Sequence, residues 1–296
     1  MRFRILASVC LAVLAARAVP VHAQGQFHIF TRLTDKSGAA VTSATPDMFG
    51  ILEDGVEGTI VKVEPVNWPL KLQLLVDNGI GMGGPNLGQV RSSLRTLIEA
   101  LPPDAEVTLV TTAPQPRFLV RPTKDRAALL GGVDRLTPDE VSGNFVTSLA
   151  EALSRIARDK SDHFPVILTV GTTTGDAYGS ERDVREIQER LSERGTVVHV
   201  LLRVTGPTLS SGANQTDVGL LATKTTGGRF ETINIPSALG PMLTSFADQI
   251  TKTFGASNGR YRVTVQRPSG KSGPLGKIGF VTRGGLRSSD ESVQAN

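Results

Sequence analysis

One loop carries most of the chemistry open to this chain. Asp77-Asn78-Gly79-Ile80-Gly81-Met82-Gly83-Gly84 follows an apolar run and combines a carboxylate, an amide and four glycines. Gly79, Gly81 and Gly84 satisfy G-x-G-x-x-G, the spacing that lets backbone approach a dinucleotide pyrophosphate between a strand and a helix. Such a site also needs an acid at the end of the second strand to hold a ribose. Here that strand ends Val110-Thr111-Thr112. Pro85 and Asn86 delay the helix whose N-terminus would seat the phosphates. A nucleotide-cofactor enzyme is therefore the weakest of the readings the loop allows.

Elsewhere the parts of a catalytic site are missing. His28, His163 and His199 lie far apart, in or beside strand-like runs, and no nucleophile pattern accompanies them. Ser269-Gly270-Lys271-Ser272 lacks the upstream glycine of a phosphate loop and reads as a turn. Asp104-Ala105-Glu106 and Asp139-Glu140 read as solvated loop faces. H-E-x-x-H does not occur and nothing brings a nucleophile, base and oxyanion donor together, so the expectation is a protein that is not an enzyme.

The elements that must position the loop follow from periodicity. Residues 70–76 are an apolar strand interrupted only by Lys71 and Gln73. Leu87, Val90, Leu94, Leu97, Ile98 and Leu101 fall on one helical face. Residues 107–110 and 118–120 are strands whose short connection, 113–116, makes an antiparallel hairpin. Residues 125–136 read as a helix weakened by Gly131 and Gly132. Leu149, Leu153 and Ile156 mark another helix, with Ser148 and Glu151 spaced as a capping box. A buried strand at 166–170, a helix from Ser180 to Gly195, and a strand at 197–202 come next. A short helix ends at Gly227-Gly228, a brief strand follows at 229–232, and Leu239, Leu243, Phe246, Ile250 and Phe254 stripe a last helix. This β-α alternation predicts an α/β fold, a doubly wound, mostly parallel Rossmann-like sheet with helices on both faces.

The flanks read differently. Phe27, Ile29, Thr31 and Leu33 alternate, and runs at 48–52 and 59–63 flank the turn dipeptide Asp54-Gly55. Pro65 and Pro69 bracket Trp68 as a linker. Tyr261, Val263 and Val265 alternate again, and residues 278–281 make a further short strand. Neither flank has enough strands to stand alone, so 26–66 and 260–283 are expected to share one accessory β-sandwich-like module around a domain spanning 70–254. Residues 284–296 are poor in apolar side chains and read as a disordered tail.

Several motifs, in order, carry a resemblance. An apolar strand ends in Asp77-Asn78-Gly79-Ile80-Gly81 where a von Willebrand factor A (VWA) domain has D-x-S-x-S. Thr147-Ser148-Leu149-Ala150-Glu151-Ala152-Leu153 resembles the family's threonine before an A-L-x-x-A-L helix, and Thr169-Val170-Gly171 stands where T-D-G is usual. Ala222 with Thr226-Gly227-Gly228 resembles its LA-x-x-TGG segment. Thr34-Asp35-Lys36-Ser37-Gly38 and Leu52-Glu53-Asp54-Gly55 are similar to segments of secreted, acidobacterial-type VWFA-related proteins. The resemblance implies adhesion or protein binding at a metal-ion-dependent adhesion site (MIDAS), whose oxygen ligands come from three loops. Carried over, Asp77 and Thr147 keep their oxygens, while Gly79, Gly81 and Val170 replace two hydroxyls and a carboxylate. The expected site is a degenerate MIDAS: a crevice of Asp77, Asn78, Gly79, Gly81, Thr147, Gly171, Thr172 and Asp176 that binds a protein partner without metal. Magnesium-dependent adhesion through a residual site, held by Asp77 and Thr147 with weak magnesium binding, is the alternative.

Charge and leader complete the picture. Lys and Arg number 32 against 28 Asp and Glu, but Arg2, Arg4 and Arg17 fall in the first 23 residues, which hold no acid. Without them 29 face 28, and nothing points to nucleic acid as a partner. Arg2 and Arg4, the apolar residues 5–16 and Val21-His22-Ala23 read as a signal peptide cleaved after Ala23. The expected product is secreted or periplasmic and not inserted in a membrane. Its single cysteine, Cys10, leaves with the leader, so the mature chain has no thiol.

Overall fold

The computed structural model describes residues 25–82, 84–173, 180–191, 193–205, 210–254 and 259–295. The expected leader, 1–23, and Asp176 lie outside the described residues. The chain opens with β1 (Gln26–Thr34), β2 (Phe49–Glu53), β3 (Val56–Glu57) and β4 (Thr59–Pro65). An alternating core follows: β5 (Leu70–Val76), α1 (Gly84–Ala100), β6 (Glu106–Thr111), β7 (Arg117–Thr123), α2 (Arg126–Asp134), α3 (Phe145–Arg158), β8 (Phe164–Thr172), α4 (Glu181–Arg190), β9 (Val197–Arg203), α5 (Ser210–Thr226), β10 (Phe230–Ile233) and α6 (Leu239–Phe254). The described chain closes with β11 (Arg260–Gln266), β12 (Ile278–Thr282) and β13 (Arg287–Ala295).

The core strands form one sheet in the order β10-β9-β8-β5-β6-β7. All neighbours are parallel except β7, which the short connection turns back against β6. Strand alternation splits β5 between two faces. Leu70, Leu72, Leu74 and Val76 pack with Val90 and Leu94 of α1 and Leu243 and Phe246 of α6. Leu75 packs on the other face with Leu149 and Leu153 of α3 and Ile187 of α4. Every residue of β8 is buried, as expected of a parallel strand covered on both faces.

Local signals held unevenly. Ser180 caps α4 in a capping box with Asp183, and Asp125 caps α2 by accepting from Ala128 N–H at 3.1 Å. Ser148 does not cap α3. That helix begins at Phe145 with Asn144 at its cap, so Ser148 is buried inside it and the Ser148–Glu151 box does not form. α5 is long rather than short, because its polar first turns carry no apolar periodicity to betray them. His199 packs edge-on against Phe246 and its Nδ1 accepts from Arg229 N–H, while burial pushes its pKa down to about 4. It is a neutral packing residue.

The flanking strands form two antiparallel sheets, β13-β1-β11-β4 and β12-β2-β3. Phe27, Ile29 and Leu33 of β1, Phe49 and Ile51 of β2, and Tyr261, Val263 and Val265 of β11 meet in one core between them. Asp54 and Gly55, with φ of 50° and 82°, make the two-residue turn that closes β2 on β3. The run at 59–63 does not continue that hairpin: as β4 it crosses to the other sheet and pairs with β11. The expected disordered tail is also corrected, since residues 287–295 form β13 against β1. An edge strand is held by its ladder of backbone hydrogen bonds, so it does not need the apolar composition whose lack suggested disorder.

Two junctions make the parts one body. Phe30, Trp68, Phe164 and Phe254 stack in series at 5.0, 5.6 and 5.5 Å between centroids, and the Arg260 guanidinium lies 4.8 and 4.6 Å from the last two rings. The Trp68 linker is thus part of the join. Within the sandwich, Arg267 donates from Nε and Nη2 to both oxygens of Glu53, which also accepts from Gly276 N–H. These two charges are 8% and 1% exposed. Removing one partner strands the other away from water, so Glu53→Ala is expected to cost about 3–5 kcal/mol in chemical denaturation. A loss near zero would show that water reaches Arg267.

Candidate functional site

The site is built where three parallel strands end. Asp77 follows β5, and its N–H donates to Val170 O of β8 at 2.8 Å. The carboxylate then turns inward and is only 7% exposed. Its Oδ1 accepts from Gly79 N–H at 2.8 Å and its Oδ2 from the Thr172 hydroxyl at 2.8 Å. Burial pushes the Asp77 carboxyl above the ordinary carboxylate range, and these two bonds only partly offset it. With Thr112, Gly143, Phe145, Thr169, Gly171, Thr172 and Gln215 it lines a cavity of about 10 Å3, the room one water molecule needs.

The loops around Asp77 are fastened to one another. Asn78 is buried, donates from Nδ2 to Thr137 O at 3.1 Å and accepts at Oδ1 from Ala113 N–H at 3.0 Å. It ties the first loop to the other two and offers no group to a ligand. Ile80 N–H donates to Val141 O, Met82 N–H to Gly79 O, and Arg203 Nη1 to Gly81 O at 3.3 Å. The N–H groups of Gly79, Ile80 and Met82 are all committed internally, so this loop does not cradle a pyrophosphate despite its glycine spacing.

The glycines have a different use. A Cβ at Gly79 would run into Val141 O and lie 2.7 Å from Gly143 N, and one at Gly143 would lie 2.7 Å from both Asp77 Cγ and Thr112 Oγ1. Both positions are bare because the loops touch there.

Of the expected crevice residues, Asp77, Gly171 and Thr172 come together around the cavity, and Gly79 adjoins it through its N–H. Asn78 and Gly81 are absorbed into loop-to-loop bonds. Thr147 is not at the cavity: it lies within α3, and its hydroxyl donates to Asp183 Oδ2 at 3.2 Å. Because α3 starts at Phe145, that aromatic side chain lines the cavity in its place. The sequence reading missed Thr112, Thr169, Gly143 and Gln215. Thr112, just after β6, was visible only as the end of a strand and Thr169 only as part of the Thr169-Val170-Gly171 motif, although Thr112 Oγ1 and Thr169 Oγ1 are buried without a hydrogen-bond partner.

This donor set does not fit a magnesium ion. Magnesium demands near-octahedral oxygen ligation. Among the described residues a single carboxylate, already accepting two hydrogen bonds, faces a one-water cavity, and Val170 is buried in the apolar core. Among the described residues no three His, Cys, Asp or Glu side chains come together.

Two outcomes follow. An Asp77 pKa raised in the fold means that the stability the carboxyl contributes is complete in acid, below its unfolded value, and is lost as pH rises through the folded value. Asp77→Asn should therefore gain stability relative to the parent as pH rises from about 4, read by denaturant titrations across pH. The opposite slope would mean that a cation holds the anion. Gly79→Ser should overpack the loops and cost about 1–3 kcal/mol. A neutral or stabilising effect would show that the 141–143 segment yields.

Comparison with known proteins agrees with this fold. Residues 72–171 match the family model of the von Willebrand factor type A domain. No curated protein sequence matches the chain significantly. Among solved structures the chain is similar to a von Willebrand factor type A protein from Catenulispora acidiphila, at 13% identity and a TM-score of 0.52, over 93% of this chain and 74% of that one. It is also similar to the pilus adhesin SpaC from Lactobacillus rhamnosus GG in its open conformation, at 11% identity and a TM-score of 0.52, over 86% of this chain and 48% of that one. The chain thus spans about half the adhesin's length, and at these identities the likeness is one of fold. Strand order and the match over residues 72–171 converge: the α/β core of this chain has the fold of a von Willebrand factor type A domain.

Proposed function

We propose that the chain is an exported, non-enzymatic binding protein that holds a protein partner at the carboxyl edge of its central sheet without a divalent cation. One observation carries the reading. Around the closed Asp77 loops, apolar side chains face solvent: Ile80 is 59% exposed, Val141 45% and Ile235 59%. Ile80 and Val141 are joined through their backbones. Ile235 precedes Pro236, which lines a small pocket with Met82 and Arg203 at the same edge. Clustered exposed apolar groups rimmed by polar ones mark protein-binding surfaces. The fold likeness to a pilus adhesin supports adhesion by analogy only.

Export is supported by the charged residues Arg2 and Arg4, the short apolar run and Val21-His22-Ala23, and with it a partner in the periplasm or outside the cell. Among the described residues no helix is long and apolar enough to cross a membrane.

The test is cross-linked capture of partners from the native envelope, with and without chelator. Capture should be unchanged by chelator and lost in Ile80→Asp and Ile235→Asp. Millimolar magnesium should leave the melting temperature unmoved, whereas a ligand at a hundred times its Kd would add about 2.7 kcal/mol. A saturable magnesium shift abolished by Asp77→Ala would instead establish metal-dependent adhesion through this loop.

A further inference from the structure

β5 lies inside the central sheet, yet Lys71 and Gln73 interrupt its apolar run. The Asp77 crevice uses neither. Both line a pocket of about 180 Å3 between α3 and the β6–β7 hairpin, towards the amino ends of β5 and β6. Its apolar wall is Ile156, Phe118 and Pro122. Phe118 is 38% exposed, unusual for so large a side chain beside a buried strand.

Arg155 enters this pocket from α3 in a fixed orientation. Its Nε donates to Gln73 Oε1 at 3.0 Å, and Gln73 Nε2 donates in turn to Ala152 O at 3.2 Å. Nη1 donates to Glu151 at 3.3 Å, and the guanidinium lies 5.2 Å from the Phe118 ring centroid. Nη2 is buried and has no hydrogen-bond partner. The contrast with Lys71 is direct: its ammonium donates to Asp159 at 2.7 Å and Ser161 at 3.0 Å, and lies 3.6 Å from Glu106. The lysine is matched, and the guanidinium has donors to spare. A buried charged donor without an acceptor is expensive, and an arriving anion removes that cost.

We propose that this pocket binds a small carboxylate with an apolar body, its carboxylate pairing with the Arg155 guanidinium and its body lying on Ile156, Phe118 and Pro122. Gln73 acts through Arg155 as a positioning residue. The volume is below the roughly 300–1,000 Å3 of pockets for drug-sized ligands, which limits the occupant to a compact acid or the terminal residue of a peptide. Burial also lowers the Arg155 pKa, and the partly exposed Glu151 offsets this only in part. The site is separate from the Asp77 loops and does not depend on the binding proposed there.

Isothermal titration of the full chain with benzoate, with benzamide, and with a tripeptide ending in a free phenylalanine carboxylate tests this. Benzoate or the peptide should bind saturably, and which of the two binds assigns the carboxylate to a free acid or to a chain end. Benzamide, and benzoate with Arg155→Gln, should bind at least tenfold more weakly, the factor that losing one charge-assisted hydrogen bond implies. Arg155→Lys keeps the charge and the fold and should weaken binding less, and Phe118→Ala alters only a surface side chain and should weaken it too. The proposal is overturned if neither acid binds, if benzamide binds equally well, or if folded Arg155 variants bind as the parent does.

Discussion

A carboxylate withdrawn from water at the end of β5 constrains everything near it. Asp77 finds its partners in the chain, in the Gly79 N–H and the Thr172 hydroxyl. Around it the loop after β5, the β6–β7 connection and the segment before α3 close to contact distance. That closeness leaves no space for a side chain at Gly79 or Gly143. The same bonds that satisfy the carboxylate fill the coordination positions a cation would need. The carboxyl end of the sheet is thereby closed around Asp77, with the exposed apolar groups Ile80 and Val141 on the loops beside it.

Much of this was legible before any coordinates. Strand and helix periods located the central sheet, the short 113–116 connection fixed β7 as antiparallel, and the scarcity of strands in each flank required them to combine. What escaped depends on contacts at long sequence separation. Thr147 had the right spacing, but spacing cannot show that α3 begins at Phe145 and turns the threonine towards Asp183. Thr112 and Thr169 gain meaning only when their strands lie side by side. β13 was hidden because a strand secured through its backbone has no compositional signature. Asp54-Gly55 was recognised as a turn, but which strand would follow it into the sheet was decided by β11, about two hundred residues later.

The sandwich is more than an appendage to the core. Its strands β1 and β11 come from opposite sides of the core in sequence, so the α/β domain is an insertion between two neighbours of one sheet. Trp68 and Arg260 lie at the two crossings, and both are built into the aromatic series that continues into Phe254 of α6. The last core helix is therefore clamped at its end by residues of the crossing chain, which couples the position of α6 to the integrity of the sandwich.

The pairing of β13 with β1 sets how the molecule bears load. The two strands run antiparallel with Phe27 opposite Ala295, so both ends of the described chain emerge at one end of the same ladder. Tension between those ends loads the ladder a rung at a time, in the geometry of a zipper rather than of a shear plane. It opens β13 before any force enters the α/β domain. Anchored at one end and tugged from the other, the protein would lengthen by surrendering an edge strand while its α/β core kept its shape.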